Sequence, residues 1–145
     1  MSITYLNNSS AIADIQAYLL KCDDLFTPQL SEEVNIEKYS EKIYNHATRF
    51  EAWKDNELVG LVASYFSEGM EGGFITSVSV DRNFWGQKIA KALIGRCIDY
   101  GREENFKSIS LEVHTHSIQA INLYFKYEFK IAKINDNKYY MTHIL

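Results

Sequence analysis

Residues 74–93 read Phe74-Ile-Thr-Ser-Val78-Ser79-Val80-Asp81-Arg82-Asn-Phe-Trp85-Gly86-Gln87-Lys88-Ile89-Ala90-Lys91-Ala-Leu93, and their periodicity changes midway. Up to Val80 apolar and small polar residues alternate with period two, the pattern of a strand over 74–80. From Gly86 the spacing becomes helical. Ile89, Ala90, Leu93, Ile94, Cys97 and Ile98 share one side of a helix predicted over 86–104. Lys88, Lys91, Arg96, Asp99 and Arg102 share the other side, and Asn105 closes the helix. A strand, a short loop and a helix start bring free backbone N–H groups and the positive end of a helix dipole to one point, which suits phosphate. Gly86 allows close backbone approach there, Ala90 keeps the helix start narrow, and Lys88 and Lys91 add charge.

Outward from this segment the chain alternates elements without a repeat or a linker. Upstream, residues 3–6 form a first strand, and Ser9 or Ser10 caps a helix whose Ile12, Ile15, Leu19 and Cys22 share a face. Phe26-Thr27-Pro28 ends it, because the residue before proline is pushed out of the helical region. A second helix from Ser31 or Asn35 carries Ile36, Tyr39, Ile43 and Ala47 on one stripe. A hairpin of 48–54 and 57–67 turns at Asp55-Asn56, and its second strand is apolar on both faces, as a central strand covered on both sides would be. Gly69 to Gly73 reads as a loop. Downstream follow a strand at 107–114, a helix at about 117–127, and a hairpin of 128–134 and 138–144 around Asn135-Asp136-Asn137. Strand-helix-strand at 74–114 predicts two parallel neighbours joined by a right-handed crossover.

The 145 residues suit one domain spanning 1–145. A net charge of −4 argues against a nucleic-acid partner, whose phosphates demand a basic face. Arg82, Lys88, Lys91 and Arg96 nevertheless make the predicted phosphate loop locally positive. Cys22 and Cys97 fall on apolar helix faces and make neither a disulfide framework nor a metal-ligand spacing. The N-terminus lacks a signal-peptide pattern, and no uninterrupted apolar stretch is long enough to span a membrane, so the expected location is the cytoplasm and no membrane partner is expected.

Two blocks resemble the GNAT superfamily of N-acetyltransferases. Val78 to Leu93 resembles its acetyl-CoA signature, hydrophobic-x-V-x-P-x-x-R/Q-G-x-G-x-G/A-x-x-L, in register at Val78, Val80, Gly86, Ile89, Ala90 and Leu93. Arg82 stands where proline is common, Trp85 where arginine or glutamine is usual, and Lys88 where the middle glycine is expected. Either the loop path differs at Lys88 or the lysine contributes charge on an unchanged path; the second reading is preferred, because backbone amides make most of the family's pyrophosphate contacts. Residues 109–129 resemble L-E-V-x-x-x-N-x-x-A-I-x-L-Y-x-K-x-G-F, with Leu111, Glu112, Val113, Ala120, Ile121, Leu123, Tyr124, Lys126 and Phe129 in register. Ser117 replaces asparagine and Glu128 replaces glycine.

The resemblance implies a mixed α/β fold: a mostly antiparallel sheet of about seven strands, about four flanking helices, and a splayed pair of parallel strands. It implies acetyl-CoA as acetyl donor and an amine as acceptor, in a monomer or homodimer. Val78, Ser79, Val80, Trp85, Gly86, Gln87, Lys88, Ile89, Ala90, Lys91, Ser117 and Lys126 would contact the cofactor. A backbone N–H near Val80 would hold the oxyanion, and Tyr124 would protonate the leaving thiolate, although a tyrosine there also reads as a core aromatic. Glu112 is a candidate base if burial on its strand lifts its pKa; the alternative is a solvated carboxylate beside Ser108 and Ser110. His114, then His116, are further candidates by their intrinsic pKa. Glu68 and Glu71 stand where a cationic acceptor could be read. Two other functions compete: an acyl-CoA-binding module that has lost catalysis, suggested by Trp85, Lys88 and Ser117, and an interaction domain using Trp53, Tyr139 and Tyr140.

Overall fold

A computed structural model describes residues 2–67, 69 and 71–145. In chain order the elements are β1 (Thr4–Asn7), α1 (Ile12–Lys21), a 3₁₀ turn (Asp23–Leu25), α2 (Leu30–Glu33), α3 (Ile36–His46), β2 (Thr48–Lys54) and β3 (Glu57–Tyr65). Then come β4 (Gly72–Val80), a 3₁₀ turn (Arg82–Phe84), α4 (Ile89–Glu103), β5 (Ser108–His114), α5 (Ile118–Lys126), β6 (Lys130–Asn135) and β7 (Lys138–Ile144). The strands form one sheet in the order β1-β2-β3-β4-β5-β7-β6, antiparallel throughout except for β4 and β5. This is the mixed sheet that the sequence implied.

Apolar patterning places β3 at the centre. Leu58 to Ser64 are all buried, and an extra residue at Val59 in the β2–β3 register shifts which side chains face each side. Leu58, Leu61 and Ala63 join Ile15, Leu19, Ile36 and Ile43 in one core under α1 to α3. Val59 and Val62 join Ile89, Leu93, Ile94, Cys97, Ile121 and Tyr124 in the other, under α4 and α5. Each buried aliphatic side chain contributes about 1.5–3 kcal/mol of transfer free energy, so the apolar stripe of α4 docks it firmly. Gly60 makes that approach possible: a Cβ there would stand 3.0 Å from the Ile89 side chain and 3.2 Å from that of Leu93.

Several boundaries differ from the sequence reading for local reasons. Neither Ser9 nor Ser10 caps α1; Ala11 is the cap residue, and Asp14 accepts from its N–H at 2.9 Å. Ser10 is instead drawn into a buried network around Glu51, which is 0% exposed. Glu51 accepts from the backbone N–H groups of Ser9 and Ser10 at 2.9 and 3.1 Å, from the Ser10 hydroxyl, from Trp53 Nε1 at 3.2 Å and from Arg49 Nε at 3.2 Å. Asn35 does cap α3, accepting from the Lys38 N–H at 3.0 Å, and Ala47 lies just beyond that helix. Gly72 and Gly73 belong to β4 rather than to a loop. Helix α4 starts at Ile89, three residues later than predicted, because Gly86 and Lys88 hold positive φ. Trp53, Tyr139 and Tyr140 are half-buried, so the exposed aromatics of the interaction-domain reading are not exposed.

Candidate active site

The site begins where two parallel strands part. Pairing of β4 with β5 runs from Gly72↔Ser108 to Ile75↔Leu111 and stops, while β4 continues to Val80 and β5 to His114. The parting coincides with a bulge: Ile75 pairs Ser64 and Ser77 pairs Ala63, so Thr76 has no partner in either register. A bulge bends its strand, which separates the ends. Beyond it the Asp81 N–H donates to the Val59 carbonyl at 2.9 Å. Alternation along the extended chain then turns the Val80 and Val78 N–H groups to the other edge, the one β5 has left.

A cleft of about 570 Å³ opens along that edge. Val78, Ser79 and Val80 line it from β4, Trp85, Gly86 and Lys88 from the loop, and Ile89, Ala90 and Lys91 from α4. Leu25, Phe84, Gln119, Ala120 and Leu123 complete the wall. Gly86 has φ +83° and Lys88 has φ +61°, so the lysine follows the path open to a glycine and departs only in its side chain. Lys88 is also the cap residue of α4 and makes no side-chain cap bond. The first carbonyl acceptor in the helix is that of Lys88, bonded by Ala92 N–H at 3.1 Å, which leaves the N–H groups of Ile89, Ala90 and Lys91 without helical partners. Lys88 and Lys91 are exposed beside them, and neither is ion-paired among the described residues. Trp85 spans the loop, its Nε1 donating to the Val80 carbonyl at 2.9 Å. Arg82 lies over the Trp85 ring and 3.7 Å from Asp24, while Arg96 stacks on Tyr5, so of the four basic residues only Lys88 and Lys91 line the cleft. Gln87 and Lys126 are exposed and lie outside this lining.

At its far end the splay opens into a smaller space of about 180 Å³ that brings Val78, Glu112, His114, Ser117 and Tyr124 together. Tyr124 is 6% exposed, burial pushes its phenol above the ordinary tyrosine range, and its hydroxyl has no hydrogen-bond partner among the described residues. Of the two readings of Glu112 the structure matches the solvated one: Leu111 and Val113 point inward and Glu112 is exposed. It lines both this space and the adjoining one of about 390 Å³, bounded by Phe26, Leu30, Glu33, Tyr39, Phe74 and Lys138. His114 Nδ1 accepts from the His116 N–H at 3.2 Å, so the neutral ring carries its proton on Nε2. His116 is exposed, its ring edge-on to that of His114. Ser117 is the cap residue of α5 and makes no side-chain cap bond. Glu71 pairs with Lys107 at 3.3 Å, and Glu68 lies outside the described residues.

Helices from the opposite face hold the free half of β4. The Tyr39 hydroxyl donates to the Thr76 carbonyl at 2.8 Å and lies 2.7 Å from Thr76 Oγ1. Tyr18 and Ser79 share a hydroxyl hydrogen bond of 2.9 Å, so the Ser79 side chain is already engaged. Lys21 Nζ meets Asp81 Oδ2 at 2.6 Å. Burial alone would raise the Asp81 pKa, but the Lys21 hydrogen bond and the Asn83 N–H outweigh it and hold the carboxyl below its usual range. The bonds to Asp81 and Glu57 raise the Lys21 ammonium. Burial pushes the Tyr39 phenol up to about 12. None of the contacts that Tyr18, Lys21 and Tyr39 make carries a sequence signature, since each joins residues tens of positions apart.

The sequence model of the acetyltransferase (GNAT) family matches residues 16–129. No curated protein matches the chain. Among solved structures, PaiA N-acetyltransferase from Thermoplasma acidophilum in complex with coenzyme A superposes with a TM-score of 0.80 at 16% identity, covering 100% of both chains. Ard1 from Thermoplasma volcanium gives 0.80 at 21% identity, covering 100% of this chain and 99% of the other. The ribosomal-protein-alanine N-acetyltransferase from Escherichia coli gives 0.79 at 15% identity, covering 99% and 94%. At these identities the likeness is one of fold.

Proposed function

Since this chain belongs to the acetyltransferase (GNAT) family, we propose that it transfers the acetyl group of acetyl-CoA to a primary amine by direct attack in a ternary complex, with residues 1–145 acting as one domain. The observation that supports this best is that the cleft formed by the free edge of β4 and the uncapped start of α4 shares Leu25, Val78 and Ala120 with the smaller space lined by the unpartnered Tyr124 phenol. The donor fits these residues: the start of α4 with Lys88 and Lys91 suits pyrophosphate, and the edge at Val78 and Val80 offers backbone groups to an extended arm. Bound acetyl-CoA would supply the thioester carbonyl and a thiolate leaving group.

The chain's own groups then divide the work. The Val80 N–H donates to the oxygen as negative charge develops on it. Glu112, with its carboxylate open to both the junction and the acceptor space, pairs with the incoming ammonium and guides its proton to water. His114 is less suited, because its one bare nitrogen already accepts from His116. As the carbon–nitrogen bond forms and the carbon–sulfur bond breaks, Tyr124 gives its proton to the thiolate; a phenol raised by burial stays protonated at neutral pH until that moment. The acceptor, a small molecule or a peptide, enters between Phe26, Glu33 and Tyr39 on one side and Phe74 and Lys138 on the other.

Thiol release from acetyl-CoA, assayed across peptides, polyamines, amino sugars and amino acids, tests this reading. Release that depends on one acceptor class supports it. Binding of acetyl-CoA with no acceptor-dependent release would favour the alternative of a cofactor-binding module without catalysis.

A further inference from the structure

Among the described residues, the side-chain bonds from α1 and α3 to β4 and its following residue fall at Thr76, Ser79 and Asp81, all beyond the last pair that β4 makes with β5. The paired half, Gly72–Ile75, receives none of them. Where two strands part, backbone groups lose their ladder partners, and a buried carbonyl left without a donor is costly. Thr76 is the residue most exposed to that cost, being the bulge residue without a register partner. Its carbonyl takes the Tyr39 phenol at 2.8 Å, and its hydroxyl can donate back to the same oxygen at 2.7 Å. Tyr39 is carried by α3, whose Ile36, Ser40 and Ile43 are buried, so the phenol is held by a docked helix rather than by a loop.

We propose that Tyr39 is a positioning residue whose hydrogen bond to the Thr76 carbonyl holds β4 away from β5 and keeps open the strand edge along which acetyl-CoA binds. Without that donor the Thr76 carbonyl is left without its side-chain partner, the free half of β4 loses its tie to α3, and the splay loosens. The binding clause rests on the proposed function; the splay itself does not. Tyr39 also lines the acceptor space, so one side chain touches the acceptor wall and fixes the cofactor strand.

The test compares Tyr39→Phe with Ile43→Val, a core substitution on the same helix that leaves the phenol in place. Hydrogen exchange without ligand reads the splay, and calorimetric titration with acetyl-CoA reads the edge. Tyr39→Phe is expected to speed amide exchange in residues 77–80 about tenfold over Ile43→Val and to weaken acetyl-CoA binding by a similar factor, with exchange in β2 unchanged. Wild-type exchange and affinity in Tyr39→Phe, even with a lowered melting temperature, would overturn the proposal by reducing Tyr39 to packing. If the wild type itself binds no acetyl-CoA, the proposed function fails, and the exchange comparison alone decides the role of Tyr39.

Discussion

The two faces of the sheet are held to their task by different means. Under α4 and α5, what matters is the backbone: two positive-φ residues, Gly86 and Lys88, an uncapped helix start, and a strand edge with its N–H groups turned outward. Under α1 to α3, what matters is pairs of side chains distant in sequence: Arg49 and Glu51 with Ser10, Tyr18 with Ser79, Lys21 with Asp81, Tyr39 with Thr76. The first face shapes the cofactor cleft; the second keeps the strand between them where that cleft needs it. Damage to each should therefore appear in a different measurement.

The largest effect is expected on the second face. Glu51→Ala leaves Arg49 buried without its carboxylate, and the folded state should lose about 3–5 kcal/mol in denaturant unfolding, with little change in the cofactor affinity of the protein that remains folded. An affinity loss in proportion to the stability loss would erase the division between the faces. Next comes Tyr124→Phe, which removes a proton donor and almost no volume. Turnover should fall about 100-fold, roughly 2.7 kcal/mol in barrier, while acetyl-CoA affinity holds. Equal turnover in variant and wild type would return Tyr124 to a purely packing role.

The smallest effect sharpens the backbone side of the comparison. Glu128 sits at φ +63°, where an L side chain is strained, so Glu128→Gly should raise stability by about 0.5–1 kcal/mol after the entropy of the added glycine is offset. A loss of stability there would mean that the glutamate side chain holds the turn after α5.

This division also explains what could be read from the sequence. The geometry of the α4 and α5 side was legible because backbone conformation at fixed spacing leaves residue types at fixed positions, as at Val78, Val80, Gly86 and Ala90 and again from Leu111 to Phe129. Even the departures spoke: Lys88 and Glu128 stand where glycine is expected, and both take positive φ. Period and turn chemistry likewise point to the seven strands: burial on one or both faces writes itself along the inner strands, and the Asn135-Asp136-Asn137 turn marks the hairpin that carries the fully exposed β6. The other side was legible only in outline. Tyr39 looked like one more residue on an apolar stripe, and Ser10 like a helix cap, because nothing local distinguishes a phenol or hydroxyl that meets its partner about 40 residues away. For Glu112 the sequence leaves burial and solvation equally open, and the exposed position on β5 is the solvated one of the two.

The most direct test of the central claim is a calorimetric titration of acetyl-CoA into the wild-type chain and into Lys88→Gly, at low and high salt. Lys88→Gly suits the positive φ of the loop path and removes the side chain with its charge, and the salt dependence isolates the charge. Wild-type binding in the micromolar range, weakened severalfold by Lys88→Gly at low salt and far less at high salt, is the predicted result, since a point charge at a solvent-exposed phosphate site is screened. No heat of binding by the wild type up to high micromolar acetyl-CoA would contradict the account.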